Sequence, residues 1–236
     1  MTDSNYSFRE NRLLAALSEE EYQQLVPHFS LVFLSRGQLL YEWGEPIVFS
    51  YFPLEAMISI VATDEQGKTC EVGMVGREGV SGLPVILGGH STINRAVVQI
   101  PGPAVKINAE ILKREFEQAG NLQKILLLYC QAFLSQVTQT VFCNSQHYIE
   151  ARLARWLLLA QDYAQVNELP LTQEYLALML GVRRSSISEI ASALGKEGMI
   201  RYSRGKILIV DRNALETKAC GCYRLIKGEY QRLIGA

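Results

Sequence analysis

Apolar residues change their spacing twice along this chain, and the changes divide it into parts. Between residues 31 and 107 they come in short apolar or alternating runs, at 37–41, 49–52, 57–61, 71–75, 96–100 and 104–107. Turn chemistry separates the runs, at Gly44, Pro53, the Asp-Glu-Gln-Gly stretch of 64–67, Gly76, the Gly-Gly pair of 88–89 and the Pro-Gly-Pro stretch of 101–103. Many short strands punctuated in this way predict an all-β sandwich or barrel. Ahead of them, Ser18 with Glu21 three residues later predicts the start of a short helix through a capping box.

After residue 109 the period becomes helical, and Gly120 is expected to part a short helix from a longer one. From 121 to 143 apolar positions recur at Leu122, Ile125, Leu126, Tyr129, Phe133 and Val137, with Thr140 on the same line, at spacings of three and four. At about 1.5 Å per residue this helix is roughly 35 Å long. Leu127, Leu128, Cys130, Leu134 and Val141 give it a second apolar face. A helix apolar on two sides has two partners, and a second copy of itself is the economical one, because two-fold homodimers are the commonest assemblies. The expected dimer interface is Leu122, Ile125, Leu126, Tyr129, Phe133, Val137 and Thr140; burial within one chain is the competing reading.

A further helix is predicted through Ile149, Leu153, Trp156, Leu157 and Ala160, followed by a linker-like break at 167–170. Then come a helix over 172–180, a turn at Gly181 and Val182, a helix over 184–197, and a hairpin of 200–203 with 206–210 around Arg204 and Gly205. The tail, 214–236, reads as helical but interrupted by Gly221 and Gly228. Two short helices joined by a glycine turn and followed by a hairpin form a winged helix-turn-helix pattern. Leu176, Leu180, Val182, Ile187, Ile190 and Leu194 would set the two helices at a steep angle, so that the second enters a groove about 12 Å wide. The exposed start of that second helix carries Arg183, Arg184, Ser185, Ser186, Ser188 and Glu189, donors and acceptors suited to base edges and phosphates. With Thr172 and Gln173 at the first helix, and Lys196, Arg201, Arg204 and Lys206 around the hairpin, these are the candidate DNA-binding residues. Glu189 either accepts from a cytosine amine or is an i,i+4 neighbour of Ser185 with no base contact.

Charge first argues against this reading and then for it. The 236 residues hold 23 basic and 24 acidic side chains, a net −1, whereas a nucleic-acid binder often has a basic excess. Residues 1–170 carry 12 basic and 18 acidic groups, while 171–236 carry 11 basic and 6 acidic, so the basic excess lies on the motif.

Other chemistries find little support. The five cysteines are odd in number and form no CxxC pair, so neither a disulfide framework nor a zinc site is expected. The CxC spacing of Cys220 and Cys222 is strained for a disulfide, so packing of the tail is the preferred reading. Residues 79–83, Gly-Val-Ser-Gly-Leu, lack the last glycine of a hydrolase GxSxG, and the three histidines fall in no HExxH; no catalytic residue and no metal is assigned, and an enzyme is not expected. Gly76, Gly79 and Gly82 do not make a dinucleotide fingerprint and read as turn geometry. No run of about 18 uncharged apolar residues predicts a membrane span. The polar start of the chain, with Asp3 and Glu10, has no apolar core of a secretory leader, so a cytoplasmic protein is expected.

The stretch Leu171 to Glu216, with TQEYLALMLGVRRSSISEIASALGKEGMI followed by RYSRGKILIVDRNALE, resembles the C-terminal domain of CRP/FNR-type bacterial transcription regulators. The β-rich segment and long helix look like that family's cyclic-nucleotide-binding-like domain and dimer helix, so the resemblance covers nearly the whole chain. It implies an α+β fold: a double-stranded β-helix (jelly roll or β-roll) over 1–120, a dimerisation helix over 121–146, a winged helix-turn-helix over 147–213, and a helical tail over 214–236. It implies double-stranded DNA, a second copy of the chain and RNA polymerase as partners. Arg184, Ser185 and Glu189 fall where the family's recognition helix commonly carries Arg, Glu and Arg; only Arg184 matches, so the operator is not expected to be the CRP half-site. Members that bind cyclic nucleotides hold the ribose with Gly-Glu and the phosphate with Arg-Ser or Arg-Thr. Here only Gly82 and Arg95 correspond, the glutamate is missing and Ala96 follows the arginine, so a cyclic nucleotide is doubtful. No cysteine precedes Cys70, which argues against the FNR branch's iron–sulfur cluster, and Cys70, His28 and His90 are isolated for haem ligands, so no cofactor is required.

Overall fold

The computed structural model describes residues 6–235. Met1 to Asn5 and Ala236, including the Asp3 weighed above, lie outside the described residues. The N-terminal segment carries helices α1 (Arg12–Ala15) and α2 (Glu19–Leu25), and α2 starts as expected. The Ser18 hydroxyl accepts the Glu21 N–H at 3.2 Å, while the Glu21 carboxylate accepts the Ser18 N–H at 3.4 Å.

Seven strands follow: β1 (Ser30–Leu34), β2 (Leu39–Tyr41), β3 (Phe49–Pro53), β4 (Met57–Thr63), β5 (Thr69–Val75), β6 (Arg95–Ile100) and β7 (Gly102–Asn108). A one-turn helix, α3 (Leu83–Ile86), lies between β5 and β6. The strands form two antiparallel sheets, β1-β7-β3 and β2-β6-β4-β5. Between them Phe52, Met57, Ile58, Val98, Val105 and Ile107 are withdrawn from solvent, the burial that stabilises a two-sheet layer. Two glycines expected to serve turns instead allow close approach. A Cβ at Gly76 would stand 2.2 Å from the Tyr163 Cβ, and one at Gly79 2.4 Å from the Tyr129 hydroxyl; of the three, Gly82 has the left-handed backbone, with φ +94°.

The helical part is α4 (Ala109–Phe116), α5 (Asn121–Gln146), α6 (Ile149–Ala164), α7 (Gln173–Leu180), α8 (Arg184–Lys196), α9 (Arg212–Lys218) and α10 (Cys222–Ile234). Strands β8 (Glu168–Leu169), β9 (Ile200–Ser203) and β10 (Lys206–Ile209) form a third sheet in the order β8-β10-β9. Two expectations are corrected. The 167–170 break is no linker, because Leu169 and Glu168 pair with Ile207 and Leu208 and add a strand to the hairpin. The tail helix α10 runs through Gly228 without interruption, since packing on α5 outweighs the roughly 1 kcal/mol penalty of an internal glycine.

The largest correction concerns α5. Leu122, Ile125, Leu126, Tyr129 and Thr140 of the expected dimer interface are buried within the chain, and Phe133 and Val137 are half-buried at the edge of that face. The β-roll and α10 cover this side. The Gln136 side chain lies at its centre, accepting the Met74 N–H at 2.6 Å and donating to the Tyr163 and Tyr230 hydroxyls at 2.8 and 2.9 Å. The uncovered side carries Leu127, Leu134 and Val141, all exposed. By length and composition α5 is apolar enough to cross a bilayer, with mean hydropathy 1.3, but the residues responsible are partly packed inside the protein.

Candidate nucleic-acid interface and effector cavity

The helix-turn-helix forms because each of its ends has a specific stop. The Thr172 hydroxyl caps α7 by accepting the Tyr175 N–H at 3.3 Å, and Gly181, with φ +64°, ends the helix in the left-handed region. Arg183 is extended and α8 begins at once. Leu176, Leu180, Ile187 and Leu194 are buried between the helices, while Val182 and Ile190 are half-buried beside them. From α6, the buried Arg152 guanidinium donates to the Leu180 carbonyl and secures the turn.

This packing leaves Arg183, Arg184, Ser185, Ser188, Glu189 and Lys196 exposed on α8, with Ser186 half-buried. The first-turn amides and the positive end of the helix dipole add to the two arginines, an arrangement that attracts phosphate. The Arg184 guanidinium pairs with Glu174 of α7 at 2.9 Å. No hydrogen bond joins Ser185 to Glu189 among the described residues, and Glu189 makes no ion pair there.

The wing turns at Arg204, φ +48°, and Gly205, φ +78°, the two positive values of a type I′ hairpin. Arg201, Arg204 and Lys206 line a groove of about 430 Å³ with Ser203 and Glu168. Lys206 pairs with Glu168 at 2.6 Å. A Cβ at Gly205 would meet the Thr172 methyl at 3.3 Å, so the wing tip lies against the start of α7, where Thr172 and Gln173 are half-buried.

The helix-turn-helix part is joined to the β-roll through buried polar contacts. The Trp156 indole of α6 donates to the Glu71 carboxylate of β5 at 2.7 Å, and the Ser59 hydroxyl donates to its other oxygen. Burial pushes the Glu71 carboxyl up to about 7, against the opposing hydrogen bonds and the Arg155 charge. Gln99 of β6 lies 3.1 Å from the Met179 sulfur of α7.

A cavity of about 480 Å³ lies between the β-roll and α5. Tyr41, Ile60, Val75, Leu83, Phe133 and Leu134 are among its walls, Gly82 and Ser81 also line it, and among the described residues no charged side chain lines it. Arg95 is not among the lining residues, and its guanidinium pairs with Glu42 at 2.9 Å. Of the two residues that the resemblance assigned to an effector, Gly82 lines the cavity and Arg95 does not.

The structure also gathers side chains that the sequence reading left apart. Cys143, His147, Cys220 and Cys222 converge at the C-terminal end of α5, so the CxC pair is more than tail packing. A sequence signal is Cys143 four residues before His147, about one helical turn, which brings the His147 cap of α5 close to Cys143. Of the residues weighed for haem, His90 is exposed beside Glu110 and Cys70 lies against Gly181.

Residues 151–218 match the model of the Crp-like helix-turn-helix domain. A search of the curated proteins finds no match. Among solved structures, FixK2 from Bradyrhizobium japonicum aligns with TM-score 0.69 at 15% identity, over 82% of this chain and 98% of that one. TTHB099, a CRP-family transcriptional regulator from Thermus thermophilus, aligns with TM-score 0.65 at 18% identity, over 80% and 96%. The c-di-GMP-responsive regulator CLP from Xanthomonas campestris aligns with TM-score 0.62 at 14% identity, over 81% and 99%. The chain thus has the fold of CRP/FNR-family transcription regulators, with a β-roll, a long helix and a Crp-like helix-turn-helix domain.

Proposed function

We propose that this chain, built on the CRP/FNR fold with a Crp-like helix-turn-helix domain, is a sequence-specific DNA-binding transcription regulator that acts as a homodimer on a pseudo-palindromic operator. The observation that carries the reading is the exposed, doubly basic first turn of α8, flanked by the basic wing of Arg201, Arg204 and Lys206. Arg184 reads a base edge, Arg183 and the α8 amides meet phosphate, and the wing tracks the backbone. The excess of basic groups after residue 170 is small, so non-specific affinity is modest and base contacts from two copies supply much of the binding.

The dimer forms along the uncovered side of α5. Leu127, Gln131, Leu134, Thr138 and Val141 follow spacings of four and three, the pattern of a coiled-coil seam. The effector is a small uncharged, largely apolar molecule held in the cavity between β-roll and α5, because a phosphate buried there would find no cationic partner. It acts by preferring one arrangement of α5 and the docked reader.

The test is selection of duplexes from random DNA by the purified protein. Enrichment of a palindrome with half-sites about one helical turn apart is expected; no enriched palindrome refutes the reading. A thermal-shift panel tests the cavity separately: stabilisation by neutral apolar compounds is expected, and stabilisation by cyclic nucleotides alone overturns the assignment.

A further inference from the structure

Cys143 and His147 project from the last turn and cap of α5, Cys220 from the bend between α9 and α10, and Cys222 from the start of α10. One ligand atom from each lies within 4.8 Å of every other. The Cys143 and Cys220 sulfurs are 3.4 Å apart, and the Cys222 sulfur is 3.5 Å from His147 Nδ1. A tetrahedral ion with metal–sulfur bonds of about 2.3 Å and metal–nitrogen bonds of about 2.0–2.1 Å places neighbouring ligand atoms roughly 3.5–3.8 Å apart. The Cys143–Cys220 and Cys222–His147 pairs lie close to this spacing, and all four ligand atoms fall within 4.8 Å, near enough for a small adjustment to bring them round one ion. A disulfide needs sulfurs about 2.05 Å apart, and all five cysteines are free. A cubane cluster takes four thiolates and holds them farther apart than one ion does.

The surroundings supply a second, independent observation. Arg152 and Arg155 of α6 are buried, at 8% and 3% exposure, and neither makes a salt bridge among the described residues. Each Nε has no hydrogen-bond partner, although Arg155 also donates to the Thr140 hydroxyl at 3.3 Å and Arg152 to the Leu180 carbonyl. Thr140 lies about one turn before Cys143 on α5, so the Arg155 guanidinium that donates to it stands beside the cluster. Glu71, the carboxyl on which the Arg155 charge bears, is itself held toward its neutral form by burial, so two buried cations without a salt bridge stay costly unless an anion faces them, and a thiolate-rich metal centre is such an anion: three thiolates around a divalent ion carry a net negative charge. The Gln139 amide, 3.1 Å from the Cys222 sulfur, donates to the same group and orients it.

We propose that Cys143, His147, Cys220 and Cys222 form a tetrahedral site for one thiophilic divalent cation of the zinc class, which fastens the C-terminal tail to the hinge between α5 and the reader. His147 occupies that hinge, between the end of α5 and the start of α6. Binding deprotonates the thiols that still carry protons and releases those protons to solvent. The ion closes the long chain segment from 143 to 222 and fixes where α6 leaves α5, the junction through which the β-roll and the reader are connected.

The experiment uses the full chain, reduced and stripped of metal, then loaded with zinc and passed through gel filtration beside a weak chelator. One zinc per chain is expected to remain. Cobalt in its place should give the visible bands of a tetrahedral thiolate complex, and strong chelation should lower the thermal midpoint. Cys143→Ser and Cys222→Ser should lose the bound ion, whereas Cys70→Ser and Cys130→Ser, outside the cluster, should keep it. Because buried cysteines can disturb folding, His147→Ala at the partly exposed helix cap is the second variant: it should remain folded by circular dichroism and lose the tetrahedral cobalt spectrum. The proposal is overturned if the reduced chain retains no zinc, if retention is indifferent to the cluster variants, or if a Cys143–Cys220 disulfide is found whose reduction yields no metal binding.

Discussion

The Arg184 guanidinium stands 2.9 Å from the Glu174 carboxylate, so a helix-turn-helix arginine of the proposed reader is held by a counter-ion from the neighbouring helix. Both side chains are more than 60% exposed, so the pair adds little to stability. It does put a carboxylate beside Arg184 that competes with DNA for the guanidinium. Arg184→Ala should weaken the selected operator by about 1–3 kcal/mol and relax preference at one base pair of each half-site. Glu174→Gln should leave the thermal midpoint unchanged and raise affinity. Titration of the selected duplex and its single-base variants checks both.

The wing should behave differently. Arg204→Ala and Lys206→Ala remove charge from a groove that follows the backbone, so all sequences should lose affinity alike and the salt dependence should flatten by about one ion for each change. Sequence-dependent loss would place these side chains at base edges instead.

Two substitutions on one helix separate the faces of α5. Leu126 has no exposure, and Leu126→Asp should unfold the chain, a loss of several kcal/mol from burying an unpaired charge. Leu134 is 63% exposed, so Leu134→Asp should leave circular dichroism and the thermal midpoint of the monomer near wild type while abolishing dimerisation and operator binding. Sedimentation gives the mass. A folded Leu134→Asp dimer would contradict the seam.

Stability should fall as pH rises from 5 to 7.5. Burial holds the carboxyl groups of Glu71 and Glu78 at about 7, above 4.5 for the unconstrained group. Their folded forms prefer the proton, so the stability this supplies is complete below about 4.5 and is lost as pH passes through 7. Each contributes at most on the order of 3 kcal/mol. Glu71→Gln should remove about half of the slope in denaturant melts across this range, and an unchanged slope would mean that Glu71 is ionised throughout.

Much of the site was legible from local pattern. The glycine turn at 181, the Arg-Gly hairpin turn and the buried line from Leu176 to Leu194 each act within a few residues, and local steric and hydrogen-bonding rules carry them. The basic residues were then assigned to exposed positions because the apolar ones had already claimed the interior. The strand at 168–169 was missed because two residues carry too little periodicity, and their pairing with 207–208 is a long-range contact.

By itself, the sequence determined the order of elements: strands, one long helix, then two short helices and a hairpin, with the positive charge after residue 170. It also determined that α5 has two apolar faces. Which face is free was decided by tertiary structure, because a helical period records that a side is apolar and not what covers it; α10, folding back from the end of the chain, covers one side through Tyr230 and Gln136. The same return brings Cys220 and Cys222 to Cys143 and His147, residues more than seventy positions away. It is also the three-dimensional path of β6 that pairs Arg95 with Glu42 and leaves the cavity uncharged. Contacts closed by long loops leave no local spacing to read, since their cost is met by packing that exists only in the folded chain.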